Sequence, residues 1–116
     1  MADSDCLFCK IVTGDVKADI VAESDIAIAF RDVNPQAPTH VLVIPRDHAP
    51  NVAAVAAAGD LDVAELIRLA AEVAETEGIA ERGYRMVANT NAEAHQTVFH
   101  AHIHVLGGRS MGWPPG

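Results

Sequence analysis

His100, His102 and His104 occupy alternate positions in one apolar run, with Ala101, Ile103 and Val105 interleaved. Side chains of an extended strand point to opposite faces in turn, so the three imidazoles would share one face and the three apolar residues the other. Imidazole is the side chain best placed near neutral pH to act as nucleophile, proton carrier or metal ligand. Half of the six histidines of the chain lie on this strip, which therefore reads as a reaction centre. The competing reading is a polar strand face, but such a face more readily uses Thr, Lys or Glu. The run is alternating and internal, unlike an affinity tag.

A second cluster of reactive residues is the pair Cys6 and Cys9, the only cysteines, at Cys-x-x-Cys spacing. In a reducing compartment this spacing points to metal or redox chemistry before a structural disulfide. A thioredoxin-type redox pair would want a βαβ context that the surrounding pattern lacks. Two reduced cysteines packed in a helix are the remaining alternative.

The elements that must hold these residues can be read along the chain. Asp5 is placed to cap a short helix through Leu7, Phe8, Ile11 and Val12, ended by Gly14. Residues 20–23 and 26–31 read as a hairpin, because Ile26, Ile28 and Phe30 alternate with Ala27, Ala29 and Arg31. Pro35 and Pro38 mark a loop that leads into a third strand, residues 40–44, stopped by Pro45. Val63, Leu66, Ile67, Ala70, Val73 and Ala74 recur at helical spacing, which predicts one long helix between Asp60 and Gly78. Residues 84–89 and 98–106 read as the last two strands, separated by a polar stretch. Strands, one long helix, then strands again with short connections predict an antiparallel sheet with helices packed on one face, an α+β architecture. Ala101, Ile103 and Val105 would face the helix and leave the histidine face open.

A chain of 116 residues suits one domain spanning 1–116. Half the residues are hydrophobic and only 4% aromatic, so the core must be aliphatic. The formal net charge is −8 and the eight basic residues are scattered, which excludes a nucleic-acid tract and leaves no nucleic-acid partner. An acidic surface repels polyanions, so a phosphate-bearing ligand must be held by local donors. No apolar stretch approaches the roughly 20 residues of a spanning helix, so no membrane partner is expected and the cytoplasm is the expected compartment.

The run His100-Ala-His-Ile-His-Val-Leu106 resembles the His-φ-His-φ-His-φ-φ signature of the histidine triad (HIT) superfamily, where φ is apolar. Phe30 to Asp32, the run from Pro35 to Pro45, Gly83 to Val87, Gln96 to Phe99, Val105 to Arg109 and the ending Trp113-Pro-Pro-Gly116 are similar to its Hint branch. That resemblance implies a five-stranded antiparallel sheet with one long and one short helix, paired into a ten-stranded sheet in a homodimer whose C-terminal tail, Trp113 included, reaches the partner's site. It implies a nucleotide hydrolase acting at the α-phosphorus of purine nucleoside phosphoramidates, with purine nucleoside monophosphate derivatives as ligands. His102 would be the nucleophile, its other ring nitrogen bound to a backbone carbonyl of the triad strand, with His104 beside the phosphate. His100 and His40 would complete the catalytic set, His40 from a supporting position. Gln96, Thr97 and Asn89 resemble phosphate and leaving-group contacts. Val98 belongs to the same nucleotide-binding group, and Asp32 resembles the carboxylate that accepts from both ribose hydroxyls. Phe8, Ile11, Phe30 and Val33 would form the slot for the base, against the alternative that they are ordinary core. His95 stands where that branch more usually has Gly. Many bacterial members with the Cys-x-x-Cys pair bind zinc, which here implies Cys6, Cys9, His48 and His100 as ligands of a structural ion. Two other functions remain open: a dinucleoside polyphosphate hydrolase of the same superfamily, or a nucleotide-binding regulator with incidental hydrolysis.

Overall fold

Five strands carry the molecule: β1 (Ile20–Glu23), β2 (Ala27–Arg31), β3 (Thr39–Pro45), β4 (Tyr84–Val87) and β5 (Ile103–Gly107). In the computed structural model, which describes residues 5–116, they form one antiparallel sheet in the order β1-β2-β3-β5-β4. Helices α1 (Leu7–Thr13), α2 (Val52–Ala58) and α3 (Asp60–Thr76) and a 3-10 turn at Ala92–Ala94 complete the chain. The α+β architecture agrees with the sequence reading. No helix among the described residues is long and apolar enough to cross a membrane.

Strand alternation divides the core in two. Ala27, Ala29, Val41, Val43, Ile103 and Val105 face α3, whose Leu66, Leu69, Ala70, Val73 and Ala74 close over them. Ile28, Phe30, Leu42 and Ile44 point the other way and pack against Phe8 and Ile11 of α1. Every residue of β3 is buried, because it lies at the centre of the sheet with a helix on each face. This corrects the expectation of helices on one face only and an open histidine face: α1 covers part of that face.

Two further differences have local causes. The capping residue of α1 is Cys6 rather than Asp5, its Sγ accepting from Cys9 N at 3.3 Å. Helix α2 was not expected, although its signal is present: Asn51 caps it by accepting from Ala54 N at 2.8 Å, and an Ala-rich run with high helix propensity follows.

The last strand starts at Ile103 instead of Val98. Thr39 pairs with Gly107 and Val43 with Ile103, so two more residues in that register would set Ala101 against Pro45. Proline has no N–H to give to a ladder. Ala101 N bonds instead to Ala49 O at 2.7 Å, and the chain carrying His100 and His102 turns toward the loop after β3. Of the three triad histidines, only His104 lies within the strand.

Leu69 is fully buried beneath the sheet, on the face opposite the histidines. Leu69→Ala is expected to cost about 2–5 kcal/mol in urea unfolding, from lost burial plus the cavity left behind. A loss under about 1 kcal/mol would show that α3 is not seated on the sheet in this way.

Candidate active site and metal centre

His100 is fully buried, and its two ring nitrogens and its carbonyl oxygen each meet different partners. Its Nε2 lies 2.9 Å from Pro45 O, and since a carbonyl only accepts, Nε2 carries the proton. Nδ1 is then an unprotonated lone pair, facing Cys6 Sγ at 3.3 Å, Cys9 Sγ at 3.5 Å and His48 Nδ1 at 3.3 Å. His48 Nδ1 is also 3.5 Å from Cys9 Sγ, and all four ligand-type atoms lie within 4.8 Å of one another.

Zinc bonds of about 2.05 Å to nitrogen and about 2.3 Å to sulfur give tetrahedral edges of about 3.3 Å between nitrogens and about 3.6 Å between nitrogen and sulfur. The observed separations fit that figure. The bond from Nε2 to Pro45 supplies the outer-shell acceptor that orients a metal-ligating histidine. Burial raises the Cys6 thiol above its ordinary value, against backbone N–H groups of Cys9 and Phe8 that favour the thiolate. A cation among these atoms would reverse that balance.

The carbonyl of the same His100 accepts from His102 Nδ1 at 2.7 Å. That bond fixes the proton of neutral His102 on Nδ1 and leaves Nε2 as a lone pair. The His102 ring is packed edge-to-face between Phe8 and His104, with centroids 5.3 and 5.0 Å away. His102 keeps 7% of its surface exposed while His100 keeps none, so only the former can meet a ligand.

His104 is locked in the opposite sense. Gln36 N–H donates to His40 Nδ1 at 3.0 Å, so neutral His40 must carry its proton on Nε2. That proton points to His104 Nδ1 at 2.9 Å, and His104 consequently carries its own proton on Nε2. Adjacent histidines thus present a lone pair at residue 102 and an N–H donor at residue 104. Asp32, His40 and His104 also form a group of ligand-type atoms, but the amide of Gln36 argues against a metal there. Metal binding through His40 Nε2 would drive the proton to Nδ1, against an N–H already aimed at it.

Burial lowers His104 to about 4, with further lowering from His102 and His40 and only partial opposition from Asp32. His40 and His100 are also lowered, in both cases first by burial.

Beside these groups lies a cavity of about 400 Å³, within the range of small-ligand sites. Phe8, Ile11, Phe30, Val33, Asp32, Thr97 and Val98 all line it. Asp32 Oδ1 accepts from Asn34 N at 2.8 Å, and its other oxygen is 3.5 Å from His40 Nε2. Thr97 is exposed and its hydroxyl has no protein partner among the described residues. Asn89 lies two residues beyond the Val87–His104 pair of β4 and β5, in register with His102, and its amide is likewise unpartnered.

Gln96 departs from its expected role. Its Nε2 donates to Pro50 O and Val98 O at 2.7 and 3.0 Å, its Oε1 accepts from Asn91 N, and its backbone N bonds to Asn91 O. No donor is left for a phosphate, so Gln96 braces the loop that presents Thr97. His95 adopts φ 65°, left-handed backbone that glycine takes without cost. Sequence reasoning missed Leu42, Val16, Lys17 and Ala18 in the cavity wall. Leu42 shares a strand face with His40 and could have been found by alternation, whereas residues 16–18 belong to a connection without periodic signal.

Three histidines converging where a five-stranded antiparallel sheet meets an apolar cavity define the histidine-triad class. The chain belongs to the HIT family, whose HIT domain model matches residues 13–111. It is 47% identical over 106 residues to a purine nucleoside phosphoramidase of Escherichia coli (strain K12), covering 91% of this chain and 89% of that protein. It is 42% identical to a 14 kDa zinc-binding protein of Zea mays, covering 98% and 90% respectively. The solved HIT family hydrolase from Clostridium thermocellum superposes with a TM-score of 0.91 at 42% identity, covering 96% of each chain.

Because His104 is depressed in the fold, the unfolded chain takes up its proton first as pH falls. Its contribution to stability is therefore complete above the ordinary value of 6.5 and is lost as pH drops toward about 4. Urea midpoints should decline across that window, and His104→Gln should flatten the decline. A variant profile parallel to that of the parent would contradict the burial of His104 as a neutral group.

Proposed function

We propose that this HIT-family protein is a hydrolase that cleaves purine nucleoside phosphoramidates at the α-phosphorus, through a nucleotidyl intermediate on His102. The observation that carries this reading is the pair of opposed tautomers, a lone pair at His102 Nε2 beside an N–H donor at His104 Nε2. Similarity to the phosphoramidase of E. coli over most of both chains supports the substrate class.

In the first step His102 Nε2 attacks phosphorus, an N–P bond forms, and the P–N bond to the amine breaks as the departing nitrogen takes up a proton from solvent. The imidazole becomes cationic, and the His100 carbonyl bound to Nδ1–H stabilises that charge. In the second step water adds its oxygen to phosphorus, the bond to His102 breaks, and a proton is released. One water is consumed; the products are a nucleoside monophosphate and an amine. His104 N–H, Thr97 and Asn89 would face the phosphoryl oxygens with neutral, oriented donors. Asp32 would accept from the ribose hydroxyls through the oxygen not held by Asn34, and the Phe8, Ile11, Phe30 and Val33 slot would take the base. His40 acts through His104.

Cys6, Cys9, His48 and His100 would hold a structural zinc ion, a reading supported by their tetrahedral spacing and by the zinc-binding relative of Zea mays. Such an ion supplies a cross-link between α1, the loop after β3 and the segment preceding β5, leaving the reaction to the protein's own groups. His100 is then a ligand and a positioning residue rather than an acid. The chain is read as one HIT domain that pairs as a homodimer. Supporting that pairing, β4 lies at a sheet edge, while Leu61, Ile67 and Trp113 are exposed.

His102→Ala should lower amine release from an adenosine phosphoramidate by at least about a thousandfold while leaving the circular dichroism spectrum intact, as expected on removing a nucleophile. Retained turnover would reject the mechanism. Native mass spectrometry of freshly purified protein should record a dimer with one zinc per chain, and Cys9→Ser should lose the metal. Metal-free protein that takes up no added zinc would remove the proposed centre.

A further inference from the structure

The wall of the nucleoside cavity carries four polar residues: Lys17, Arg31, Asp32 and Thr97. Three have evident tasks. Asp32 is tied to Asn34 N and stands beside His40, and Thr97 follows the braced Gln96 next to the triad. Arg31 follows Phe30 on β2 and turns its guanidinium to the opposite face of the sheet, where it grips Glu77 at 2.7 and 2.9 Å and reaches Asp19 at 3.3 Å.

Lys17 is different. It lies between Val16 and Ala18 on the connection from α1 to β1, and all three residues line the cavity. Its side chain is exposed, and its ammonium forms no hydrogen bond or ion pair with any described residue. The apolar lining that would sandwich a base, Phe8, Ile11, Val16, Phe30, Val33 and Leu42, offers no side-chain hydrogen-bonding group. Lys17 is therefore the one uncommitted charge on that wall.

We propose that Lys17 reads the base, favouring a 6-oxopurine over a 6-aminopurine. An ammonium has three donors and no acceptor. A 6-oxopurine presents two adjacent acceptors, O6 and N7, which is why Lys and Arg are its common partners, whereas a 6-aminopurine places an N–H₂ donor beside N7. The ammonium would meet both acceptors of the first base and be opposed by the donor of the second. In an acidic protein this local charge also offsets part of the general repulsion of an anionic ligand. The inference deepens the nucleotide reading above and rests on it.

The test compares kcat/KM on guanosine, inosine and adenosine 5′-phosphoramidates of one amine, with Kd for GMP, IMP and AMP measured by calorimetry. The parent should favour guanosine and inosine alike over adenosine by about fivefold, the scale of one partly solvated charge-assisted hydrogen bond. Lys17→Met, which keeps the apolar stem, should abolish the ratio, and Lys17→Glu should turn it toward adenosine. Equal constants for the three bases in the parent, or a ratio that survives in Lys17→Met, would overturn the proposal. Absence of turnover with all three substrates would defeat the hydrolase reading while the ratio of Kd values still decides the role of Lys17. Failure to bind any of the monophosphates would defeat both.

Discussion

Strand β5 begins where it does because Pro45 cannot donate a hydrogen bond, and the arrangement of the site follows from that interruption. Freed from the ladder, Ala101 N turns to Ala49 O, and the peptide units around it rotate out of strand geometry. Pro45 keeps its carbonyl, and that oxygen accepts a hydrogen bond from His100 Nε2–H. One residue then serves both centres: the imidazole of His100 presents its lone pair to Cys6, Cys9 and His48, while its carbonyl orients His102. A regular strand running through residues 98–106 would have spent that carbonyl on a neighbour's amide.

Neutrality is the second theme. A chain of net charge −8 has no basic surface to hold an anion, and the side chains proposed to face the phosphate beside His102, namely His104, Thr97 and Asn89, are uncharged donors rather than a cationic patch. Burial lowers His104 to about 4 and also lowers His40 and His100, which favours the neutral form of these three rings. Gln36 N–H and the His100 carbonyl set the proton positions of His104 and His102 from opposite ends. Such a site stabilises developing charge through oriented dipoles, which lose little to reorganisation when the reaction occurs. The charged side chains of the cavity wall, Lys17, Arg31 and Asp32, stand apart from this pattern.

Much of this was legible in the residues themselves. The period-two alternation of Ile26 to Arg31 and the helical spacing of Val63 to Ala74 located β2 and α3, since both patterns record which side chains must leave water. The Cys6–Cys9 spacing and the histidine strip marked the two reactive clusters. The missed features have physical reasons. Helix α2 rests on an Asn cap and an alanine run too uniform to show a face, and residues 16–18 reach the cavity only because α1 folds back across the sheet. Gln96 carries the residue type of a phosphate donor, yet its hydrogen-bonding groups are consumed by Pro50, Val98 and Asn91, partners that sequence distance conceals.

The amino-acid order by itself determined the class of fold, the aliphatic core and the identity of the groups able to react, because these depend on side-chain type and local period. Only tertiary structure decided what each group does. It placed His48 and His100 against cysteines more than thirty residues away in sequence, put α1 over the histidine face, and assigned each imidazole its tautomer. A proton's position on a ring is set by whatever acceptor or donor stands across from it. Those partners, Pro45 O, His100 O and Gln36 N–H, acquire their places only when the chain has closed on itself.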